Sequence, residues 1–170
     1  MTYIIVSPLK NIGDAAKIHG PHEMISLMGP IQNFDRPDII RQDRHLIVRI
    51  NDINVEMQGL VYPEESHVSN IIEFARSWDQ KKPLLIHCWF GISRSPAAAL
   101  ISALANRPDQ DDFELAYRLR EASACATPNQ RIIEIGDTLL GRNGRLCRAV
   151  NAIGRGKEAS QGIPFTLQPI

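Results

Sequence analysis

Cys88 and Arg94 bracket five residues, Trp89, Phe90, Gly91, Ile92 and Ser93, and Ser95 follows the arginine. A cysteine becomes a nucleophile when its thiolate is stabilised, and an arginine fork can hold two phosphate oxygens at once, where a lysine offers only a point charge. Before the cysteine, residues 84–86 are a continuous apolar run too short for a helix, which predicts a strand buried on both faces and ending near His87. After the arginine, Ser95-Pro96 reads as a helix N-cap with proline at the first helical position. The loop between then sits at the positive end of a helix dipole, where backbone N–H groups converge on an anion. Gly91 supplies the freedom to curl those amides inward. The side chains of such a loop turn outward, so Trp89, Phe90 and Ile92 either pack on the core or wall the mouth, and the sequence leaves both open.

His87-Cys88-X5-Arg94-Ser95 with Gly91 resembles the phosphate-binding loop of the cysteine-dependent protein-tyrosine phosphatases, above all the dual-specificity branch in its bacterial single-domain form. From about residue 44 to 140 the resemblance covers more than half of the chain. It implies that Cys88 attacks phosphorus, that the loop from Trp89 to Arg94 binds phosphate, and that Ser95 eases the departure of the thiolate. It also implies a general-acid aspartate on a loop following a strand some thirty to forty residues earlier; Asp52, 36 positions before Cys88, is the best match. Pro128-Asn129 resembles the Pro-Asn that opens a late helix behind the phosphate loop, and His87 and Asn129 are then supporting residues, His87 through a hydrogen bond to backbone. Two features depart from the pattern. Asp52 is flanked by Asn51 and Ile53, so the Trp-Pro-Asp loop of receptor-type tyrosine phosphatases is absent, and the first forty residues match no element of the family.

Further strands are expected at residues 3–6, 24–28 and 45–50, which are rich in β-branched and apolar side chains. A short helix fits 9–18, and an irregular connection fits 29–44, which carries Gly29, Pro30 and Pro37. Helical spacing of Val68, Ile71, Ile72, Ala75 and Trp78 predicts a helix over 63–79, and three more are expected at 96–106, 111–123 and 128–140. Strands early and helices late give an α/β sandwich, a mostly parallel central sheet flanked by helices. A chain of 170 residues is read as one domain, 1–170, with a loosely held tail from about 154.

With 19 basic and 19 acidic residues the formal charge is zero, which gives no case for nucleic acid or an anionic membrane as partner. The longest apolar run, 96–105, falls well below the ~20 residues a membrane-spanning helix needs. The N-terminus lacks the basic and apolar regions of a signal peptide, so a soluble, cytoplasmic protein is expected. Three cysteines without a CxxC pair argue against a disulfide framework or structural zinc, and no metal or other cofactor is implied. Oligomeric state is left open.

Each site residue also has a plainer reading: a buried strand-end cysteine for Cys88, a helix-start arginine paired with a carboxylate for Arg94, a turn aspartate for Asp52. Asp79 and Asp43 are rival acids that lose on placement. Cys125 and Cys147 read as inert thiols, and His19, His22, His45 and His67 as surface or loop residues. The expected activity is hydrolysis of a phosphotyrosine or aryl phosphate, with phosphoserine and phosphothreonine open, on a phosphorylated protein or small aryl phosphate. A phosphate-dependent binding module and a rhodanese-like sulfurtransferase are the competing classes.

Overall fold

The computed structural model describes residues 2–168. Five strands form one sheet: β1 (Ile4–Pro8), β2 (Glu23–Met28), β3 (His45–Arg49), β4 (Leu84–Cys88) and β5 (Phe165–Leu167), in the order β3-β2-β4-β1-β5. The first four run parallel, and β5 lies antiparallel to β1 at the edge. Six α-helices are present among the described residues: α1 (Ile12–His19), α2 (Glu65–Ser77), α3 (Arg94–Asn106), α4 (Asp112–Ala122), α5 (Gln130–Leu139) and α6 (Arg145–Ile153), with single 3-10 turns at Leu9–Asn11 and Gln42–Arg44. Side chains of a strand alternate between its faces, and that alternation divides the core in two. Ile4, Val6, Leu84 and Ile86 face the layer of α2 to α6, whereas Ile5, Met24 and Leu85 face α1 and Ile40.

The helix α3 lies at the centre, with every residue but Asn106 buried. Its alanines at 97, 98, 99, 103 and 105 let neighbouring elements approach closely, so a helix rich in small side chains becomes the axis of the large layer. No helix among the described residues is long and apolar enough to cross a membrane.

Several elements differ from the sequence expectation. The helix α3 begins at Arg94, with Ser93 in the N-cap position and no side-chain cap bond, so Ser95 and Pro96 lie within the first turn rather than at its edge. Proline is tolerated there because the first-turn N–H groups have no intrahelical partner. A sixth helix, α6, follows the expected ones and carries Leu146, Ala149, Val150 and Ile153 on one face. Asp137 starts it by accepting from the Gly144, Leu146 and Cys147 amides. The tail expected to be loosely held ends in β5, where Phe165 and Leu167 are buried and paired with β1.

Candidate active site

The strand β4 carries Cys88 to the sheet's C-terminal edge, on the face of Leu84 and Ile86, beneath the N-terminus of α3. The turn that follows is held from outside through its carbonyls. Trp89 O accepts from Leu9 N (3.2 Å), Phe90 O from Gly162 N (2.8 Å), Ile92 O from Thr127 N (2.7 Å) and Ser93 O from Asn129 N (3.1 Å). With its carbonyls committed outward, the loop turns its amides the other way. Gly91 N donates to Cys88 Sγ at 3.3 Å, and the amides of Phe90, Ile92 and Ser93 have no partner among the described residues. Such a cluster of free N–H donors at a helix start is a nest for an anion.

Glycine at 91 is required twice over. Its φ is +69°, and a Cβ would lie 2.6 Å from Pro8 N, so the loop rests directly on the end of β1. Gly162 allows an equally close approach from the tail, since a Cβ there would meet Gly91 O at 3.0 Å.

Cys88 is buried, with Ser95 Oγ 3.1 Å from its sulfur, so the serine hydroxyl serves the thiol instead of capping α3. Arg94 is also buried. It donates from Nη1 to Ile50 O at 2.9 Å, and its Nε has no hydrogen-bond partner among the described residues. No carboxylate pairs with it among the described residues, which removes the ion-pair reading and leaves a buried donor free for an oxyanion.

Asp52 stands exposed just past β3, on the loop whose base is closed by Asn51 N to Val61 O (2.9 Å) and Val61 N to Asn51 Oδ1 (2.8 Å). Its Oδ1 accepts from Ser93 Oγ at 2.7 Å and from Asn129 Nδ2 at 2.9 Å, while Oδ2 has no partner among the described residues. Asn129 Oδ1 accepts from Ile132 N (3.0 Å), so one side chain caps α5 and orients the aspartate. One carboxylate oxygen is thus anchored against the phosphate loop, and the other remains free to carry a proton. Asp43 is bound to Arg41 (2.7 Å), and Asp79 accepts from Lys81 N (2.9 Å) beyond α2.

His87 faces away from the loop because alternation along β4 places it opposite Cys88. It is fully buried, and Nε2 lies 2.7 Å from Ser26 Oγ, which is also 2.8 Å from His45 Nε2. Both imidazoles meet Phe34 edge-on, at centroid distances of 5.1 and 5.9 Å. The Nε2 partner of His87 is a side chain, the Cys88 backbone also acts on its ring, and His45 is a half-buried strand residue, not a surface one. Burial pushes His87 down to about 3 and His45 to about 4, with Arg36 and Arg49 adding to the shift at His45.

Trp89 and Phe90 are 39% and 50% exposed, whereas Ile92 is half-buried. Cys125 and Cys147 lie outside the loop, half-buried, and burial together with Asp137 raises the Cys147 thiol above its ordinary value. No group of three or more His, Cys, Asp or Glu side chains among the described residues is arranged to hold a metal ion. Sequence reasoning missed Ser93 as a partner of Asp52, and Ile50 and Arg131 as braces; these contacts join segments 41 to 77 residues apart, and no local pattern announces them.

No protein-family model and no curated protein matches the sequence. Solved structures do. Human tyrosine phosphatase-like serine/threonine/tyrosine-interacting protein is 22% identical, with a TM-score of 0.60 over 80% of this chain and 89% of that one. The Yvh1 phosphatase domain from Chaetomium thermophilum is 20% identical, with a TM-score of 0.55 over 86% and 99%. A variant of human DUSP28 is 14% identical, with a TM-score of 0.59 over 84% and 99%.

Proposed function

We propose that this chain, which has the fold of the protein-tyrosine and dual-specificity phosphatases, hydrolyses phosphomonoesters through a cysteinyl-phosphate intermediate. The observation that carries the proposal is the loop itself: the carbonyls of Trp89, Phe90, Ile92 and Ser93 held outward, the amides of Phe90, Ile92 and Ser93 and the buried Arg94 Nε without a partner among the described residues, and Gly91 N donating to the Cys88 sulfur. In the first step the Cys88 sulfur forms a bond to phosphorus as the P–O bond to the leaving group breaks. The loop amides and Arg94 hold the equatorial oxygens, and Asp52 gives its proton to the departing oxygen. In the second step water attacks phosphorus and passes a proton to Asp52, the P–S bond breaks, and the Ser95 hydroxyl donates to the leaving sulfur.

An aryl phosphate suits the mouth best. The residues between Cys88 and Arg94 include no cation, while the exposed Trp89 and Phe90 offer ring surface to a phosphotyrosine. Of Lys10 and Lys17, candidate sources of charge for a phosphoinositide in the N-terminal segment, Lys17 lies on α1 facing residues 35–39, and Arg155 and Lys157, which share a groove with Ile92 and Ser93, are the alternative. Phosphotyrosine peptides should therefore exceed soluble phosphoinositides in kcat/KM at equal ionic strength, and the reverse order would refute the aryl assignment.

One structural neighbour is a tyrosine phosphatase-like interacting protein, which favours a second reading, a phosphate-dependent binding module. Turnover of para-nitrophenyl phosphate in a chelator separates the two. Hydrolysis supports the enzyme, phosphate binding without hydrolysis supports the module, and thiosulfate-to-cyanide transfer would support a sulfurtransferase.

A further inference from the structure

The carbonyl of Phe90 and the N–H of Gly91 belong to one peptide group, and its two ends have different partners. Phe90 O accepts from Gly162 N at 2.8 Å, and Gly91 N donates to Cys88 Sγ at 3.3 Å. A trans peptide is planar and points its C=O and N–H in opposite directions, so a donor that fixes this carbonyl outward also fixes the N–H on the sulfur. A carbonyl that accepts a hydrogen bond polarises its own amide as well, which makes the N–H a better donor. The tail thus reaches the sulfur through a single peptide group.

The edge strand brings Gly162 to that place. β5 pairs antiparallel with β1, Phe165 opposite Val6, and three residues further along each chain the same register sets Gly162 opposite Leu9. Leu9 N holds Trp89 O, and Gly162 N holds the next carbonyl of the loop. The approach is close, since a Cβ on Gly162 would meet Gly91 O at 3.0 Å and Phe90 O at 3.1 Å. Gly162 itself is buried, and burial of Phe165 and Leu167 anchors the segment that carries it. The amides of Phe90, Ile92 and Ser93, which have no partner among the described residues, take no part in this link.

Resting on the phosphatase reading above, we infer that Gly162 is a positioning residue for the nucleophile: through the peptide group between Phe90 and Gly91, the C-terminal segment holds an N–H on the Cys88 sulfur and so favours the thiolate. Phosphate is held by other donors, so the tail acts on the reactivity of the sulfur and not on the affinity for the anion.

The test puts glycolic acid in place of Gly162, an amide-to-ester exchange that deletes its N–H and adds no atom. The full chain carries Cys125→Ser and Cys147→Ser in addition, so that Cys88 is its one thiol. Alkylation of Cys88 by iodoacetamide at a fixed, mildly acidic pH should slow by about three- to tenfold, as expected for the loss of one hydrogen bond, and kcat/KM for para-nitrophenyl phosphate should fall with it. In alkaline solution, where a thiol ionises without help, the deficit should close. Phosphate affinity, followed by calorimetry on a Cys88→Ser background, should be unchanged. Leu139→Ala, at the opposite end of α5 from Asn129, is the stability control and should leave alkylation as it was. Undiminished alkylation, a deficit that persists in alkali, or an equal loss of phosphate affinity would overturn the inference and leave the phosphatase reading intact. If the unaltered chain did not hydrolyse para-nitrophenyl phosphate, the phosphatase reading would fall, and the alkylation rates would still score the link. Should the ester fail to fold, nuclear magnetic resonance of the unaltered chain decides. The Gly162 amide proton should shift with pH together with that of Gly91 and stop doing so in Cys88→Ser, and a Gly162 resonance indifferent to the sulfur would overturn the inference.

Discussion

The two loops that meet at Ser93, the phosphate loop and the one carrying Asp52, are held in opposite ways. The phosphate loop is braced on four sides by Leu9, Gly162, Thr127 and Asn129, and its glycine sits where any side chain would strike β1. The loop carrying Asp52 is exposed almost throughout, with Val55 67% and Met57 50% accessible, and touches the rest of the fold at a few points on α5 and on Ser93. A site that must hold an anion in one geometry benefits from a preorganised set of donors. A proton donor that must meet different leaving groups needs anchoring at one atom and freedom at the other. On the proposed mechanism, the difference assigns binding and proton transfer to separate parts of the chain that can be broken separately.

The largest separation is expected at Cys88. Cys88→Ser removes the nucleophile and leaves the amides and Arg94 in place, so turnover should fall by about 10⁴ or more while vanadate or phosphate binding, followed by calorimetry, persists. Cys125→Ser and Cys147→Ser should keep near-normal activity. Loss of anion binding in Cys88→Ser would mean that the braced loop depends on the sulfur, and the comparison would fail on its stronger side.

On the other side, Asp52→Asn keeps an oxygen to accept from Ser93 and Asn129 but has no proton to give. A drop of about 10² or more in kcat is expected for phosphoserine or phosphothreonine peptides, if these are substrates, with a smaller drop for para-nitrophenyl phosphate, whose leaving group needs little protonation. Equal losses on both would show that Asp52 is a structural brace and not the acid.

How much of this was legible in the sequence follows the same division. The phosphate loop could be read from residues 84–96 because strand, glycine, arginine and helix start are contiguous. The start of α3 was misplaced because Ser-Pro imitates a cap, whereas the loop carries its last amides into the helix itself and sends Ser95 to the sulfur. Asp52 could be placed after a strand, yet its grip on Ser93 and Asn129 spans 41 and 77 residues and is a product of folding. The spacing of Leu146, Ala149, Val150 and Ile153 is helical and carries the signal of α6. Three residues of β5 carry no such signal, because their conformation is set by pairing with β1.

Behind the braced loop, the His87, Ser26 and His45 chain predicts an acid-labile foundation. Both imidazoles are lowered below the ordinary 6.5 by burial, so the folded protein binds fewer protons than the unfolded chain below that pH. Their contribution is fully present above about pH 6.5 and is lost as pH falls toward the folded values near 4 and 3. For buried His87 this costs about 1 to 2 kcal/mol between pH 7 and 5, and less for half-exposed His45. Urea unfolding across that range checks it, and His45→Gln should flatten the curve in part. A midpoint independent of pH from 7 to 5 would remove the histidines from the account.

The smallest expected effect lies at Arg131, which ties the far end of the Asp52 loop to α5. Its backbone N–H donates to Asn54 Oδ1 (3.3 Å), its Nε to Pro63 O (3.4 Å), and its guanidinium stacks on the Tyr62 ring at 5.0 Å. Arg131→Ala keeps the backbone bond and deletes the other two. A cation over an exposed ring is worth about 0.5 to 1 kcal/mol, which corresponds to roughly a two- to fivefold effect. If Arg131 positions the acid, that loss should appear in kcat for substrates with poor leaving groups and be absent for para-nitrophenyl phosphate. It should also vanish on an Asp52→Asn background, because a brace has nothing to hold once the proton is gone, and a double-mutant cycle reads that coupling directly. Glu134→Gln supplies the control. It removes the 3.8 Å ion pair to Arg131 without touching the Asp52 loop, and should leave the rates unchanged. A loss of equal size with every substrate, undiminished by Asp52→Asn, would mean that Arg131 serves only the stability of α5.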